Sequence, residues 1–188
     1  MAVMSETPPG WADELRASRA EKDEFLDTHR QSPIPPEKRD EFDGLAYFEP
    51  DPEYRVEAEV TVHDEPEQLE LDTSDGRSVR YDRVVTFDFE LNGNDVELHG
   101  YQQPDEDLAE APIFVPFRDK TTGPVTYDGG RYMDLATERA LETGDVIPLD
   151  FNLAYSPFCA YSETFSCPLP PEENWLEVAI EAGEKDWQ

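Results

Sequence analysis

The stretch SVRYDRVVTFDFELNGNDVELHGY, residues 78–101, decides the fold. From Val79 to Leu91 apolar residues alternate with polar ones, which is the period of a strand with one buried face. Asn92-Gly93 separates this run from a second alternating run at residues 95–101, and Asn-Gly between two such runs is a strong signal of a tight hairpin. The sequence therefore predicts an antiparallel hairpin in the middle of the chain.

Arg83 conflicts with this pattern, because strict alternation places it on the apolar face of its strand. A buried arginine must be ion-paired or must face a ligand, since an unpaired buried charge is strongly destabilising. The alternative is a β-bulge near Val84 and Val85 that shifts the phase and turns Arg83 outward. The pattern alone leaves both open.

Further strands are predicted on both sides of the hairpin. They are YRVEAEVTVH (54–63), EQLELDT (67–73), PIFVPF (112–117), RYMDL (131–135), VIPLDF (146–151) and WLEVAI (175–180). Residues 11–29 contain no Gly or Pro and predict a helix, and a second short turn is expected over residues 36–42. Successive hairpins without long intervening helices predict a mainly β fold, an antiparallel sheet curled into a sandwich or barrel with the N-terminal helix packed outside.

The length of 188 residues suits one domain with a single core. We expect residues 1–10 to be a flexible N-terminus and residues 11–188 to form the domain. Within it, residues 11–43 are expected to be helical and residues 44–188 rich in strands.

The charge is strongly acidic, with 45 Asp and Glu against 15 Lys and Arg and a net charge of -30. Molar salt shortens the Debye length to about 3 Å, which screens such repulsion, so we predict a protein of a salt-accumulating halophile. Nucleic acid is excluded as a partner because the chain has no basic stripe. Without an apolar leader or a run of 18 apolar residues, the sequence predicts no membrane segment and a cytoplasmic location.

Histidine chemistry is not expected. His63 and His99 fall on the polar phases of their strands and His29 at the helix end, so all three are predicted to be surface groups. The chain contains no HExxH, CxxC or Walker motif, and no metal site or particular cofactor is predicted.

The hairpin at residues 113–135 has zero net charge in a strongly acidic chain and contains Arg118 and Arg131. Its glycines at 123, 129 and 130 would let backbone N–H groups approach an oxyanion that the two arginines clamp. The alternative is a structural hairpin in which the arginines pair with local aspartates such as Asp119.

The segment DFNLAYSPFCAYSETFSCPLPP, residues 150–171, is aromatic, nearly uncharged, and contains both cysteines. Its composition suits the wall of a cavity. The spacing of Cys159 and Cys167 fits no usual zinc pattern, and in a reducing compartment we expect thiols. Cys159 is either inert core volume or, if a cation lowers its pKa, a nucleophile.

Four motifs resemble the family known as domain of unknown function 1684, in a salt-adapted version. They are RAEKDEFL (19–26), the run from Ser32 to Val60, FVPFRDKTTGPVTYDGGRYMDL (114–135) and the run from Leu149 to Lys185. The chain departs from the family pattern at Thr122, Val125, Ser156 and Ser162-Glu163. The resemblance implies membership and no particular reaction, cofactor or partner. Its motif positions are Arg118, Asp119, Tyr127, Gly130, Arg131, Asp150, Asn152, Tyr155, Cys159, Tyr161, Cys167 and Asn174.

Together these observations predict a pocket for a small carboxylate or phosphate between the 113–135 hairpin and the 149–174 loop. Its expected ligand-binding residues are Arg118, Asp119, Tyr127, Arg131, Asp150, Asn152, Tyr155, Cys159 and Tyr161. One alternative is a hydrolase or transferase that uses Cys159 or an aspartate. The other is an interaction domain without a pocket, and the sequence does not decide whether the protein is an enzyme.

Overall fold

The computed structural model describes residues 6–187, so residues 1–5 of the predicted flexible N-terminus lie outside it. Its strands are β1 Arg55–Asp72, β2 Ser78–Leu91, β3 Asn94–Gln102, β4 Ile113–Phe117, β5 Arg131–Leu135 and β6 Val146–Asp150. All neighbours pair antiparallel in the order β5-β4-β3-β2-β1-β6, and the sheet curls into a half-barrel. The mainly β fold is confirmed, and β5 and β6 are its two edges.

The long helix α1, Trp11–Thr28, packs outside the sheet as expected. It buries only Leu15 and Leu26, and the Nε1 atom of Trp11 donates a hydrogen bond to Asp150 over 2.8 Å. A single turn, α2, follows at Pro36–Arg39. Among residues 6–187 no helix is long and apolar enough to cross a membrane.

The central hairpin forms as predicted. Asn92 and Gly93 both have positive φ, 51° and 80°, which is the backbone that a two-residue hairpin turn requires. The register of β2 with β3 shifts between Arg83 and Val85, and Val84 and Val85 are both buried. The predicted bulge is thus present, while Arg83 stays half-buried and forms ion pairs with Glu67 and Glu173.

Two strand predictions are wrong. Residues 54–63 and 67–73 form one strand, β1, which continues through an irregularity between Val62 and Glu67 because it stays paired with β2. Residues 175–180 form no regular strand, and Trp175 makes only an isolated bridge to Arg118. The amide of Ile180 donates to the Asp119 carboxylate instead of to a neighbouring strand.

The main core lies between the sheet and the chain that follows β6. Buried members include Val85, Phe87 and Phe117 from the sheet and Phe151 and Ile180 from the chain after β6. A second, smaller cluster joins α1 to the cysteine-containing segment and contains Leu26, Ile34, Ala160 and Tyr161. The irregular segments after β6 therefore close the open side of the sheet, and this packing positions the predicted site residues.

Candidate functional site

The predicted site residues lie in several separate places. Asp119 and Arg131 are in the interior, Arg118 lies beside Trp175, and Tyr127, Cys159 and Tyr161 line one cavity. Asp150, Asn152 and Tyr155 lie under α1. The structure therefore does not bring Arg118 and Arg131 together at one cavity.

Arg131 begins β5 and is fully buried. Its guanidinium donates to the carbonyl oxygens of Ile180 over 2.9 Å, of Ala182, and of Glu184 over 3.3 Å. It also lies 3.5 Å from the Asp119 carboxylate, and neither side chain is exposed. Burial lowers the pKa of Arg131, while Asp119 opposes this effect. The pair holds the C-terminal segment against the sheet. Because both side chains are buried, an anion in solvent cannot contact them.

Arg118 is half-buried and lies on a different side of the hairpin. Its Nη1 atom donates to the Asp128 carbonyl over 3.1 Å, and its guanidinium carbon lies 5.4 Å from the Trp175 ring centroid. The nearby Gly130 amide donates to the Tyr127 carbonyl rather than to an open site. Arg118 therefore braces the hairpin against the C-terminal segment.

Between the hairpin and the 149–174 loop lies a cavity of about 500 Å³, which we call the thiol cavity. Its lining is Pro35, Glu37, Lys38, Tyr127, Asp128, Cys159, Ala160, Tyr161, Ser162 and Glu163. Among the described residues that line it, Lys38 is the one cation, against the carboxylates of Glu37, Asp128 and Glu163. A net negative lining disfavours an anionic ligand at this place.

Both cysteines meet at the back of the thiol cavity. Cys159 is half-buried and Cys167 is buried, and neither forms a disulfide. The Cys159 amide donates to Cys167 Sγ over 3.3 Å, and the Tyr127 hydroxyl donates to Cys159 Sγ over 3.3 Å. Ser74, at the turn after β1, accepts a hydrogen bond from the Cys167 amide over 3.1 Å. Chain segments far apart in sequence thus meet at the two cysteines.

These contacts separate the acidities of the two thiols. Hydrogen bonds from Cys167, Tyr127 and Ser74 lower the pKa of Cys159 to about 6, although burial opposes them. The hydrogen bond to Cys159, together with burial, raises the pKa of Cys167. The contacts therefore favour the thiolate form of Cys159 and the protonated form of Cys167.

Asp150 and Asn152 organise the chain beneath α1. One Asp150 oxygen accepts from Trp11 over 2.8 Å and from Arg55 over 3.2 Å, and the other accepts from the Asn152 amide over 3.0 Å. The Asn152 side chain in turn bonds the backbone N–H and C=O of Asp51. With their hydrogen bonds made inside the protein, both residues act as structural clamps.

Next to these clamps α1 brings two cations that sequence reasoning missed. Lys22 pairs with the buried Glu184 over 2.7 Å, and Arg19 lies 4.4 Å from the Tyr47 ring centroid. Tyr155 closes the same place and donates its hydroxyl to Asp134. No local signal could have found this group, because its members lie up to 162 positions apart along the chain.

One histidine prediction is wrong. His99 is only 7% exposed, because Asn174 binds its backbone on both sides and the C-terminal segment covers it. Thr86 links its Nδ1 atom, 2.9 Å away, to His63 Nε2, 2.7 Å away. The polar faces of adjacent strands could have suggested that His63, Thr86 and His99 lie side by side. The burial of His99 by the C-terminal segment could not have been predicted. Among residues 6–187 no group of three or more His, Cys, Asp and Glu is arranged to hold a metal ion.

Comparison with known proteins gives a family and a structural relative. The family described as "Protein of unknown function (DUF1684)" matches residues 40–185. The chain also resembles the solution NMR structure of an uncharacterized protein from Haloarcula marismortui, at 62% identity and a TM-score of 0.73, over 93% of this chain and 94% of that one. No curated protein matches significantly. The family match includes both cysteines and the whole sheet and leaves out α1.

Proposed function

Because the chain belongs to the DUF1684 family, whose description assigns no activity, we propose a function from the geometry of the thiol cavity: thiol–disulfide exchange, with Cys159 as nucleophile and Cys167 as the second thiol. The observation that carries the proposal is the contact of both sulfur-bearing residues behind a cavity that Cys159 lines. A thiolate is the reactive form of cysteine, and a second thiol in contact is what a dithiol cycle needs.

The cycle begins with attack of Cys159 Sγ on one sulfur of a disulfide R–S–S–R. The S–S bond breaks, one R–S⁻ leaves and takes a proton from solvent, and Cys159 carries the other R–S group. Cys167 then loses its proton and attacks Cys159 Sγ, which releases the second R–S⁻ and forms the Cys159–Cys167 disulfide. An external thiol reductant restores the dithiol by two further exchanges.

Two features favour exchange over hydrolysis. A cysteine hydrolase needs a base that activates water against its acyl intermediate, and no histidine lines the thiol cavity among the described residues. Cys167, by contrast, already contacts Cys159, since its Sγ atom accepts a hydrogen bond from the Cys159 amide, and it can serve as the intramolecular second nucleophile. The carboxylates Glu37, Asp128 and Glu163 of the lining favour a neutral or cationic disulfide over an anionic one.

The number of thiols released from a disulfide substrate per protein molecule tests the proposal. Reduced protein in molar KCl is mixed with cystamine, a cationic disulfide, and the released cysteamine and the protein mass are measured. The wild type is expected to release both halves of cystamine and to lose the mass of two hydrogens. Cys167→Ser is expected to release one half and to retain the other as an adduct, and Cys159→Ser to release neither.

The variants also show what contradicts the proposal. A wild type that stops at the adduct would mean that Cys167 does not reach Cys159 Sγ. Equal release by Cys159→Ser and the wild type would remove Cys159 from the reaction. Dithiodiglycolate, an anionic disulfide, serves as the matched substrate and is expected to react more slowly than cystamine, with a difference that shrinks as salt rises.

A further inference from the structure

A second pair of cavities lies on the other side of the 149–174 loop, where the two edges of the half-barrel approach each other. The larger one, which we call the seam cleft, has a volume of about 380 Å³. Met133 and Leu135 of β5, Pro148 of β6, and Trp11 and Leu15 of α1 form most of its apolar lining. Its volume is in the range of small-molecule sites, about 300–1,000 Å³.

The smaller one, which we call the basic pocket, has a volume of about 90 Å³ and is lined by Arg19, Lys22, Tyr47 and Glu184 among others. It adjoins the seam cleft, because Leu15, Ser18 and Leu153 line both. An apolar cleft thus ends in a small polar pocket, an arrangement that suits a ligand with an apolar body and a polar head.

Charge in the basic pocket favours an anionic head. Glu184 is already engaged, since one of its oxygens accepts from Lys22 over 2.7 Å and the other from Tyr161. Arg19 forms no salt bridge with any described residue, and its terminal nitrogens donate to the carbonyls of Phe48 over 2.8 Å and Asn152 over 3.3 Å. No direct ion pair therefore neutralises its charge, and Glu49 and Asp150 act on it only at longer range.

Two buried donors of the basic pocket also lack an acceptor within the described part of the chain. They are Arg19 Nε and the Tyr47 hydroxyl. Buried donors are almost always paired in folded proteins, so an orphaned pair beside a cavity points to an acceptor from outside the chain. Burial lowers the pKa of Arg19, which a neighbouring anion would offset.

We propose that these cavities bind a free alkyl or aryl carboxylate, with its carboxylate in the basic pocket at Arg19 and Tyr47 and its apolar chain in the seam cleft. This site is independent of the thiol cavity and of the exchange reaction. It assigns the anionic ligand expected from sequence to cations on α1 instead of to Arg118 and Arg131.

Calorimetric titration with three probes of equal chain length tests whether the site selects an anionic head group and an apolar chain. Octanoate, octanol and octylammonium are compared at one molar KCl concentration, because chloride competes with anions. Octanoate is expected to bind at least about tenfold more tightly than octanol, as a charge-assisted hydrogen bond requires. Affinity is expected to fall by up to about fourfold for each methylene removed towards butyrate, as the buried chain shortens.

Arg19→Gln is expected to lower the affinity for octanoate by at least about tenfold and to leave the affinity for octanol unchanged. Arg16→Gln is the matched control, because Arg16 lies on the same helix, lines neither cavity and, within residues 6–187, pairs with Asp13 and Glu49. Equal octanoate and octanol affinities, or equal effects of the two substitutions, would overturn the proposal. So would the absence of octanoate binding to the wild type at millimolar concentration.

A second pair of variants keeps the test decisive if Arg19→Gln fails to fold. Leu153 lines both cavities and is 58% exposed, so Leu153→Glu places a carboxylate at their junction without disturbing the core. Val125→Glu adds the same charge at a residue that is 41% exposed and lines neither cavity. Octanoate binding is expected to be lost in the first variant only, and its survival in Leu153→Glu contradicts the proposal.

Discussion

The amide of Cys159 donates a hydrogen bond to Cys167 Sγ over 3.3 Å, so the only two cysteines of the chain are in contact. Their environments differ, because Cys159 lines the thiol cavity while Cys167 is buried behind it. The lowered pKa of the accessible Cys159 and the raised pKa of the buried Cys167 divide attack and resolution between the two residues in the proposed exchange. This asymmetry leads to predictions that a pair of inert buried thiols would not fulfil.

Alkylation of Cys159 is expected to follow its thiolate fraction, with a midpoint near the pKa of about 6. The rate with iodoacetamide, measured by mass spectrometry in molar KCl, should therefore rise through pH 6 and be flat above pH 7. Cys167→Ala removes the principal donor and is expected to move the midpoint up towards the ordinary range near 8.5. An unchanged midpoint in Cys167→Ala contradicts the assigned cause.

Tyr127→Phe removes the second donor to Cys159 Sγ and leaves the ring in place. The Cys159 midpoint is expected to rise, by less than in Cys167→Ala, because Cys167 is the larger cause of the lowered pKa. Tyr155→Phe is the control, since it removes the hydroxyl of a half-buried tyrosine that donates to Asp134 instead. A shift of the same size in both variants would indicate a general loosening of the fold.

Those parts of the fold that neighbouring residues determine could be predicted from the sequence. Asn92-Gly93 dictates the central hairpin because its turn needs positive φ, and the bulge beside Arg83 was one of two alternatives that the alternation allowed. The motif resemblance to the DUF1684 family is likewise confirmed. These features involve neighbours in sequence, for which period and turn chemistry are sufficient.

The site could not be predicted in the same way because distant segments build it. Arg131 is buried because it donates to the carbonyls of Ile180 and Ala182 in the C-terminal segment, and Asn174 covers His99. The contact of Cys159 with Cys167 depends on how an irregular, proline-rich loop folds back, which spacing does not reveal. Periodicity fixes faces of strands and says little about which loop covers them.

Removal of salt is expected to unfold the protein, because a net charge of -30 repels itself when the Debye length grows from about 3 Å at 1 M to about 30 Å at 0.01 M. Far-ultraviolet circular dichroism during dialysis from molar to millimolar KCl measures this, and restored KCl should restore the spectrum if the loss is electrostatic. A spectrum that does not change over this range would contradict the prediction.

Arg131 and Arg118 belong to the same hairpin, but their replacement by Met is expected to lower the free energy of unfolding by very different amounts. Arg131→Met leaves the Asp119 carboxylate buried without its cation and frees three backbone carbonyls, and breaking a buried pair in this way costs about 3–5 kcal/mol. Arg118→Met removes one half-exposed hydrogen bond, which contributes about 0.5–1.5 kcal/mol. The free energy of unfolding, from urea titration in molar KCl, compares the two.

A double-mutant cycle separates the ion pair from the rest of the Arg131 contacts. In an Asp119→Asn background the buried charge is absent, so Arg131→Met is expected to cost less than it does in the wild type. A cost that is equal in both backgrounds would assign the stability to the carbonyls of the C-terminal segment alone. Similar losses for Arg131→Met and Arg118→Met would contradict the division of the two arginines into an interior clamp and a surface brace.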